Sequence, residues 1–151
     1  MNRKVLSGIT AIVLLLILVA AYTTYHKENN TQSTVSLKEL ENALTGKGYG
    51  YTLQEAKQDF LPASRKRILL EDNVLDIYLF SSEKKMEQAA KNISPDGCGY
   101  KSNLKAIQVS WVSYPHFYKK GNLIVQYVGE DNSFLTELEA ILGTQFAGAP
   151  R

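Results

Sequence analysis

The sequence predicts an α+β protein: an antiparallel sheet from two strand–turn–strand–helix units, helices packed on one face, and one apolar helix ahead of them. Three observations predict it. Apolar and polar residues alternate at 74–80 and 106–114, the period of a strand with one buried face. Apolar residues recur at helical spacing after each of these regions. Finally, no formally charged residue stands between Lys4 and Lys27.

That uncharged run comes first in the chain. Residues 5–21 (VLSGITAIVLLLILVAA) are almost wholly apolar, and about twenty helical residues cover the roughly 30 Å of bilayer hydrocarbon. Arg3 and Lys4 precede the run, and positive residues stay on the cytoplasmic side, so the body is expected outside the cell. Tyr22 and Tyr25 stand where interfacial aromatics lie. A cleaved signal peptide has the same charged start, and Val19-Ala20-Ala21 offers a cleavage site after Ala21. The length of the apolar core favours a retained signal-anchor over residues 5–25, leaving a cytoplasmic start at 1–4. A lipoprotein is excluded, because no cysteine follows the run to accept lipid. The expected location is the cell membrane, single-pass, with the C-terminal domain extracytoplasmic, or secreted if cleavage occurs.

Residues 23–35 (TTYHKENNTQSTV) are polar and aperiodic, so 26–35 reads as a tether to a domain at 36–151. Ser36 opens a helix with Glu39 as its capping-box partner. Leu37, Leu40 and Leu44 then share a face, and Gly46 and Gly48 end it. Thr52 and Glu55 form a second capping box, with Leu53, Ala56 and Phe60 on one face, which predicts a helix over 53–61; a strand beginning at 49–53 is the alternative. Residues 67–70 predict a strand, Glu71-Asp72-Asn73 a turn, and 74–80 a second strand with Leu75, Ile77 and Leu79 on one side. A helix over 83–93 follows, carrying Met86, Ala89, Ala90 and Ile93, and Ser94-Pro95-Asp96-Gly97 stops it. The last third repeats that order. A strand over 106–114 presents Ile107, Val109 and Trp111, Lys119-Lys120-Gly121-Asn122 turns the chain, and 123–128 returns. Asp131 or Asn132 caps a helix with Leu135, Leu138 and Leu142, closed by Gly143.

Composition narrows the function. The chain has 151 residues, one cysteine and two histidines, which precludes an intrachain disulfide and a structural zinc site. No metal site and no cofactor are expected. Residues 28–151 carry 14 basic against 15 acidic residues. A near-neutral body argues against nucleic acid, whose phosphates require a concentrated basic face.

Candidate chemistry is sparse. Cys98 lies in the loop DGCGY and His116 in YPHFY; together they are the weak candidates for a thiol enzyme or hydrolase of the cell envelope. The plainer reading is an unpaired thiol and a histidine packed among aromatics. Trp111, Tyr114, His116 and Tyr118 lie close in sequence, and if Tyr114, His116 and Tyr118 share an outward face they make a shallow aromatic surface. Its plainer counterpart is cross-strand packing. Lys119 and Lys120, like Arg65-Lys66-Arg67, either approach an anionic lipid or wall polymer or protect strand edges. The best-supported expectation is a tethered, non-enzymatic binding or accessory domain facing a membrane protein or another cell-envelope partner. A small-molecule sensor is a further alternative, and the oligomeric state is open.

The stretch PHFYKKGNLIVQYVG at 115–129, with IYLF at 77–80, Asp96-Gly97 and LGTQFAG at 142–148, resembles small membrane-anchored or exported proteins of Bacillus-like Gram-positive bacteria. The resemblance spans residues 36–148. It implies export or membrane attachment and carries over no catalytic residues. Some members are lipoprotein-like, and this chain departs from them in lacking the N-terminal cysteine.

Overall fold

The structure, a computed structural model, describes the backbone of residues 3–150 and the side chains of 13–24 and 36–150. The chain divides into two compact units, Met1–Thr31 and Gln32–Arg151.

Helix α1 is Arg3–Gly46. Ser36 therefore does not open a helix, and the expected tether at 26–35 has helical backbone. The physical reason is an absence of breakers: no glycine or proline stands between Gly8 and Gly46. Among the described residues no helix is long and apolar enough to cross a membrane. Of the predicted anchor at 5–25, the side chains of 5–12 and 25 lie outside the described residues. Within the described part, every side chain from Val13 to Val19 is exposed to surroundings the chain itself does not supply. The hydroxyls of Thr23 and Thr24 donate back to Ala20 O at 2.9 and 3.0 Å, which satisfies them within the helix.

The second unit begins where Leu37, Leu40 and Leu44 turn inward, all three buried as their spacing predicts. The Tyr49 amide then donates to Leu44 O at 3.0 Å, with Gly48 at φ +87°, so the glycine pair closes α1. The strands are β1 Thr52–Ala56, β2 Ser64–Leu69, β3 Val74–Leu79, β4 Gly99–Lys101, β5 Ala106–Gln108, β6 Pro115–Lys120, β7 Leu123–Val128 and β8 Ala147–Gly148; the later helices are α2 Glu83–Ala90 and α3 Asn132–Leu142. Six strands form one antiparallel sheet in the order β1-β2-β3-β7-β6-β8, while β4 and β5 pair separately. The two strand–turn–strand–helix units are present as β2-β3-α2 and β6-β7-α3, joined where β3 meets β7 with Ile77 opposite Val125.

Three expectations are corrected. Residues 53–61 are not helical: β1 pairs with β2, placing Glu55 beside Lys66, and cross-strand pairing overrides a helical spacing that Leu53, Ala56 and Phe60 also satisfy. The alternation over 106–114 is a strand only at β5, and the partner of β7 is instead β6. Most consequentially, the helices do not share one face. Leu75, Ile77, Leu123, Val125, Tyr127 and Tyr118 form a core with the C-terminal part of α1 and with α3. Tyr78, Phe80, Ile124 and Phe117 form a second core, on the opposite face, with Met86, Ala89 and Ala90 of α2. Both faces of β7 and of the end of β3 carry buried apolar side chains, Ile77 and Val125 on one and Tyr78 and Ile124 on the other, so each attracts a helical layer. A duplication about an axis normal to the sheet would set both following helices on one face. The observed arrangement is thus a repeated element order without that symmetry.

Of the caps expected from the sequence, Asp131 acts as one, while Ser36 and Thr52 do not. Ser82 caps α2, and Asp131 caps α3 by accepting from the Ser133 and Phe134 amides at 2.9 and 3.1 Å. At the β6–β7 turn Gly121 has φ +55°, and a methyl group there would lie 2.6 Å from Ser36 Oγ. Only glycine fits both constraints.

The capping carboxylates set an acid limit. The Ser133 hydroxyl, then the Phe134 amide, hold Asp131 below the usual carboxylate range. The Ser94 hydroxyl, then the Cys98 amide, do the same for Asp96 in the turn after α2. A carboxylate depressed in the folded state stabilises above its unfolded pKa, near 3.9, and that contribution is lost as pH falls through the depressed value. Thermal melts should therefore fall in Tm as the pH drops below about 4. The Asp96→Asn/Asp131→Asn variant, whose amides still cap but do not titrate, should show a shallower acid limb. An identical limb in the variant would place the acid sensitivity elsewhere.

Candidate functional site

The predicted aromatic surface is dispersed by burial: Tyr114, His116 and Tyr118 share a parity, but His116 and Tyr118 are covered. Tyr118 is fully buried in the α3-side core. His116, on the same side of β6, is buried and stacks on Tyr127 at a ring separation of 6.0 Å. Trp111 sits in the other core against Phe60 and Phe117, its indole N–H donating to Gly97 O at 2.9 Å. Only Tyr114, just before β6 begins, keeps its ring in solvent, at 56% exposure.

The basic candidates are committed to structure. Lys119 Nζ donates to both Glu87 carboxylate oxygens at 2.8 Å and lies over the Phe146 ring, fixing β6 to α2. Lys120 Nζ donates to Ile141 O at 2.9 Å, satisfying one of the last carbonyls of α3. Lys66 pairs with Glu55. Arg65 and Arg67 both bond Asp76, and Arg65 also reaches Asp59 at 2.9 Å. Burial opposes the charge of Arg65, but the hydrogen bonds it donates to Asp76 and the nearby negative groups outweigh it, so its pKa is raised. Tyr78, which lies 3.1 Å from Asp59 Oδ2 and 3.0 Å from Gln126 Oε1, is pushed up by burial first and then by the charge of Asp59. These groups brace the sheet.

Cys98 and His116 do not form a hydrogen-bonded couple. Cys98 Sγ lies 3.6 Å from Asp96 O. His116 Nδ1 is 2.7 Å from Gln145 Oε1 and its Nε2 is 3.1 Å from Gly129 O, so each ring nitrogen already faces an acceptor. Gln145 keeps this orientation by donating from Nε2 to Ala149 O at 2.8 Å. A histidine so engaged holds the C-terminal segment against β6 and β7, with both ring nitrogens turned to Gln145 and Gly129 and not to Cys98.

Two of the candidates nevertheless meet at a cleft of about 340 Å³, lined by Tyr114, His116, Gly129, Glu130, Asn132, Leu135, Ala149 and Pro150. Tyr114 stands at its mouth, while His116 and Leu135 are buried at its floor. The Ser113 hydroxyl donates to Glu130 Oε1 at 3.1 Å, tying the loop before β6 to the start of the α3 cap. The cleft thus combines one exposed ring, one carboxylate and an apolar base, a composition suited to binding.

A second recess was not anticipated. The β4–β5 pair folds over the end of α2 and leaves a cleft of about 720 Å³, whose lining includes Gln88, Lys91, Asn92, Ser102, Asn103 and Lys105. Beside it lies another of about 620 Å³ that shares Lys91, Asn92 and Tyr100 and adds Lys101. No aspartate or glutamate lines either. Among the described residues no group of histidine, cysteine and acidic side chains could hold a metal ion. Compared with protein-family models, with curated proteins and with solved structures, the chain finds no match.

Proposed function

We propose that this protein is a membrane-tethered extracytoplasmic binding or accessory domain whose partner seats at the Tyr114 cleft. The observation that carries the reading is the cleft itself: Tyr114 is exposed at the mouth of a recess floored by His116 and Leu135, which the surrounding hydrogen bonds hold in place. An exposed tyrosine over an apolar base supplies contact area at little entropic cost. Support for the tether comes from α1, where seven successive apolar side chains, Val13 to Val19, face outward in every direction around the helix. A helix apolar all round calls for an apolar covering. The charges at Arg3 and Lys4, as residues that stay on the cytoplasmic side, support the outer side for the body. A tether raises the local concentration of a weak binder near a membrane partner.

The test uses the full chain in cells. A photo-crosslinking residue at Tyr114 should yield a discrete adduct that the same residue at exposed Lys57 does not, and Glu130→Lys should diminish it at least tenfold. Adducts that are identical at both positions, or none from 114, would refute the cleft as the seat. Alkaline extraction of the membranes should leave the chain in the pellet; release into the supernatant would refute the tether.

A further inference from the structure

Leu104 is 97% exposed at the tip of the β4–β5 hairpin. Exposure at a loop tip is common for a single residue, but this tip is built to hold it. The Ser102 amide donates to Lys105 O at 2.8 Å, and Ser102 Oγ accepts from the Leu104 and Lys105 amides at 3.3 and 3.2 Å. The turn is therefore fixed by a side chain as well as by the backbone. Lys105 is fixed too: its Nζ donates to Phe60 O at 2.9 Å and lies 5.5 Å from the centre of the Tyr100 ring.

Around this tip, lysines and side-chain amides stand among apolar walls: Pro62, Tyr100 and Leu104 itself in the larger recess, Ile93, Pro95 and Ile107 in the smaller. Lys91 and Lys105 line the larger recess with Gln88, Asn92, Ser102 and Asn103, and Lys91 and Lys101 line the smaller. Elsewhere on the body the cations at Arg65, Arg67, Lys66 and Lys119 are neutralised by carboxylates. Here Lys91 and Lys101 have no ion pair among the described residues, and the recesses hold no carboxylate to provide one.

We propose that the β4–β5 hairpin and the end of α2 form a docking surface for an anionic bilayer. The headgroup phosphates occupy the lysine- and amide-lined recesses, and Leu104 enters the apolar layer beneath them. Charge complementarity selects the occupant: a phosphate needs several donors without a competing carboxylate. An apolar residue ringed by lysines is the arrangement by which a surface loop enters the boundary between headgroups and chains. The contact requires neither Tyr114 nor the N-terminal segment, so it stands or falls apart from the function proposed above.

The test reads position 104 in the full chain. An environment-sensitive fluorophore is attached to Leu104→Cys in a Cys98→Ser background, and binding to vesicles is followed by flotation alongside. Flotation with neutral phosphatidylcholine vesicles reports the N-terminal segment; the fluorophore reports the hairpin. Emission should rise and shift to the blue with vesicles containing phosphatidylglycerol and stay unchanged with phosphatidylcholine alone. Lys91→Gln and Lys101→Gln should each weaken the response about fivefold, since a lysine near an anionic surface contributes on that scale. No response to phosphatidylglycerol overturns the proposal, and so does an equal response to both lipids. Suppression by inorganic phosphate, but not by chloride of equal ionic strength, would assign the recesses to a soluble phosphate and overturn the bilayer as their occupant.

Discussion

Phe117→Ala is expected to cost about 3–5 kcal/mol, the range for deleting a fully buried aromatic ring. Phe117 is completely enclosed on the α2 side of the sheet, with Phe60, Trp111 and Phe146 set around it at ring separations of 6.2 to 6.3 Å. Its ring also closes against Gly97, where an added methyl would lie 2.9 Å away. Truncation leaves a void that these rings fill only by leaving their own positions. Domains of this size hold about 5–15 kcal/mol in total, so one substitution removes about a fifth or more of the margin. The sole tryptophan gives the readout: Trp111 loses a packing partner, and its emission in the folded variant should shift to the red. A denaturant midpoint within about 1 kcal/mol of the parent would show that the aromatic group is not the core of that face.

Asp76→Asn is expected to cost about 3 kcal/mol, because it leaves two guanidinium groups facing a neutral amide in a site with little water. Asp76 accepts from Arg65 Nε at 3.0 Å and Nη2 at 2.7 Å, and from Arg67 Nε at 2.9 Å. The two arginines are unequal. The Arg65 side chain is 15% exposed, whereas that of Arg67 is 40% exposed and screened by solvent. Arg67→Gln should accordingly cost under about 1 kcal/mol. The comparison is made on denaturant midpoints at equal m values. Equal losses for Asp76→Asn and Arg67→Gln would mean that the cluster behaves as an ordinary surface pair.

The elements with strong periodicity were legible. Met86, Ala89 and Ala90 in α2, Leu135 and Leu138 in α3, and Leu75 and Ile77 in β3 are all buried where their spacing puts them. The layer arrangement was not read, although a signal for it existed. β7 reads LIVQYV, a nearly unbroken apolar run, and five of its six residues are buried. Such a run marks a strand covered on both faces, whereas alternation in β3 suggests only one. Even there, Tyr78, on the side opposite Leu75 and Ile77, is completely buried. Tyr114, His116 and Tyr118 were correctly given one parity, but parity does not say what lies above a strand. α3 and the C-terminal segment cover the latter two and stop short of the first. The hairpin recesses left no sequence signal at all. β4 is three residues long, too short for a period, and its pairing with β5 depends on the turn at Ser94–Gly97 bringing the chain back.

Strand β7 is hydrogen-bonded on both edges, to β3 and to β6, and lies between the two cores. Its amides reach solvent only when the sheet as a whole comes apart, so their exchange reports the global equilibrium. The β4–β5 pair joins only three residues to three and is held to the body by Tyr100 in the α2-side core and by the Lys101 amide on Asn92 O, so its remaining amides should exchange through smaller openings than those of β7. Lys91, Lys101 and Leu104 belong to neither core, so substitutions at these positions should leave the central sheet's stability largely untouched, and that surface is free to diverge while the scaffold persists.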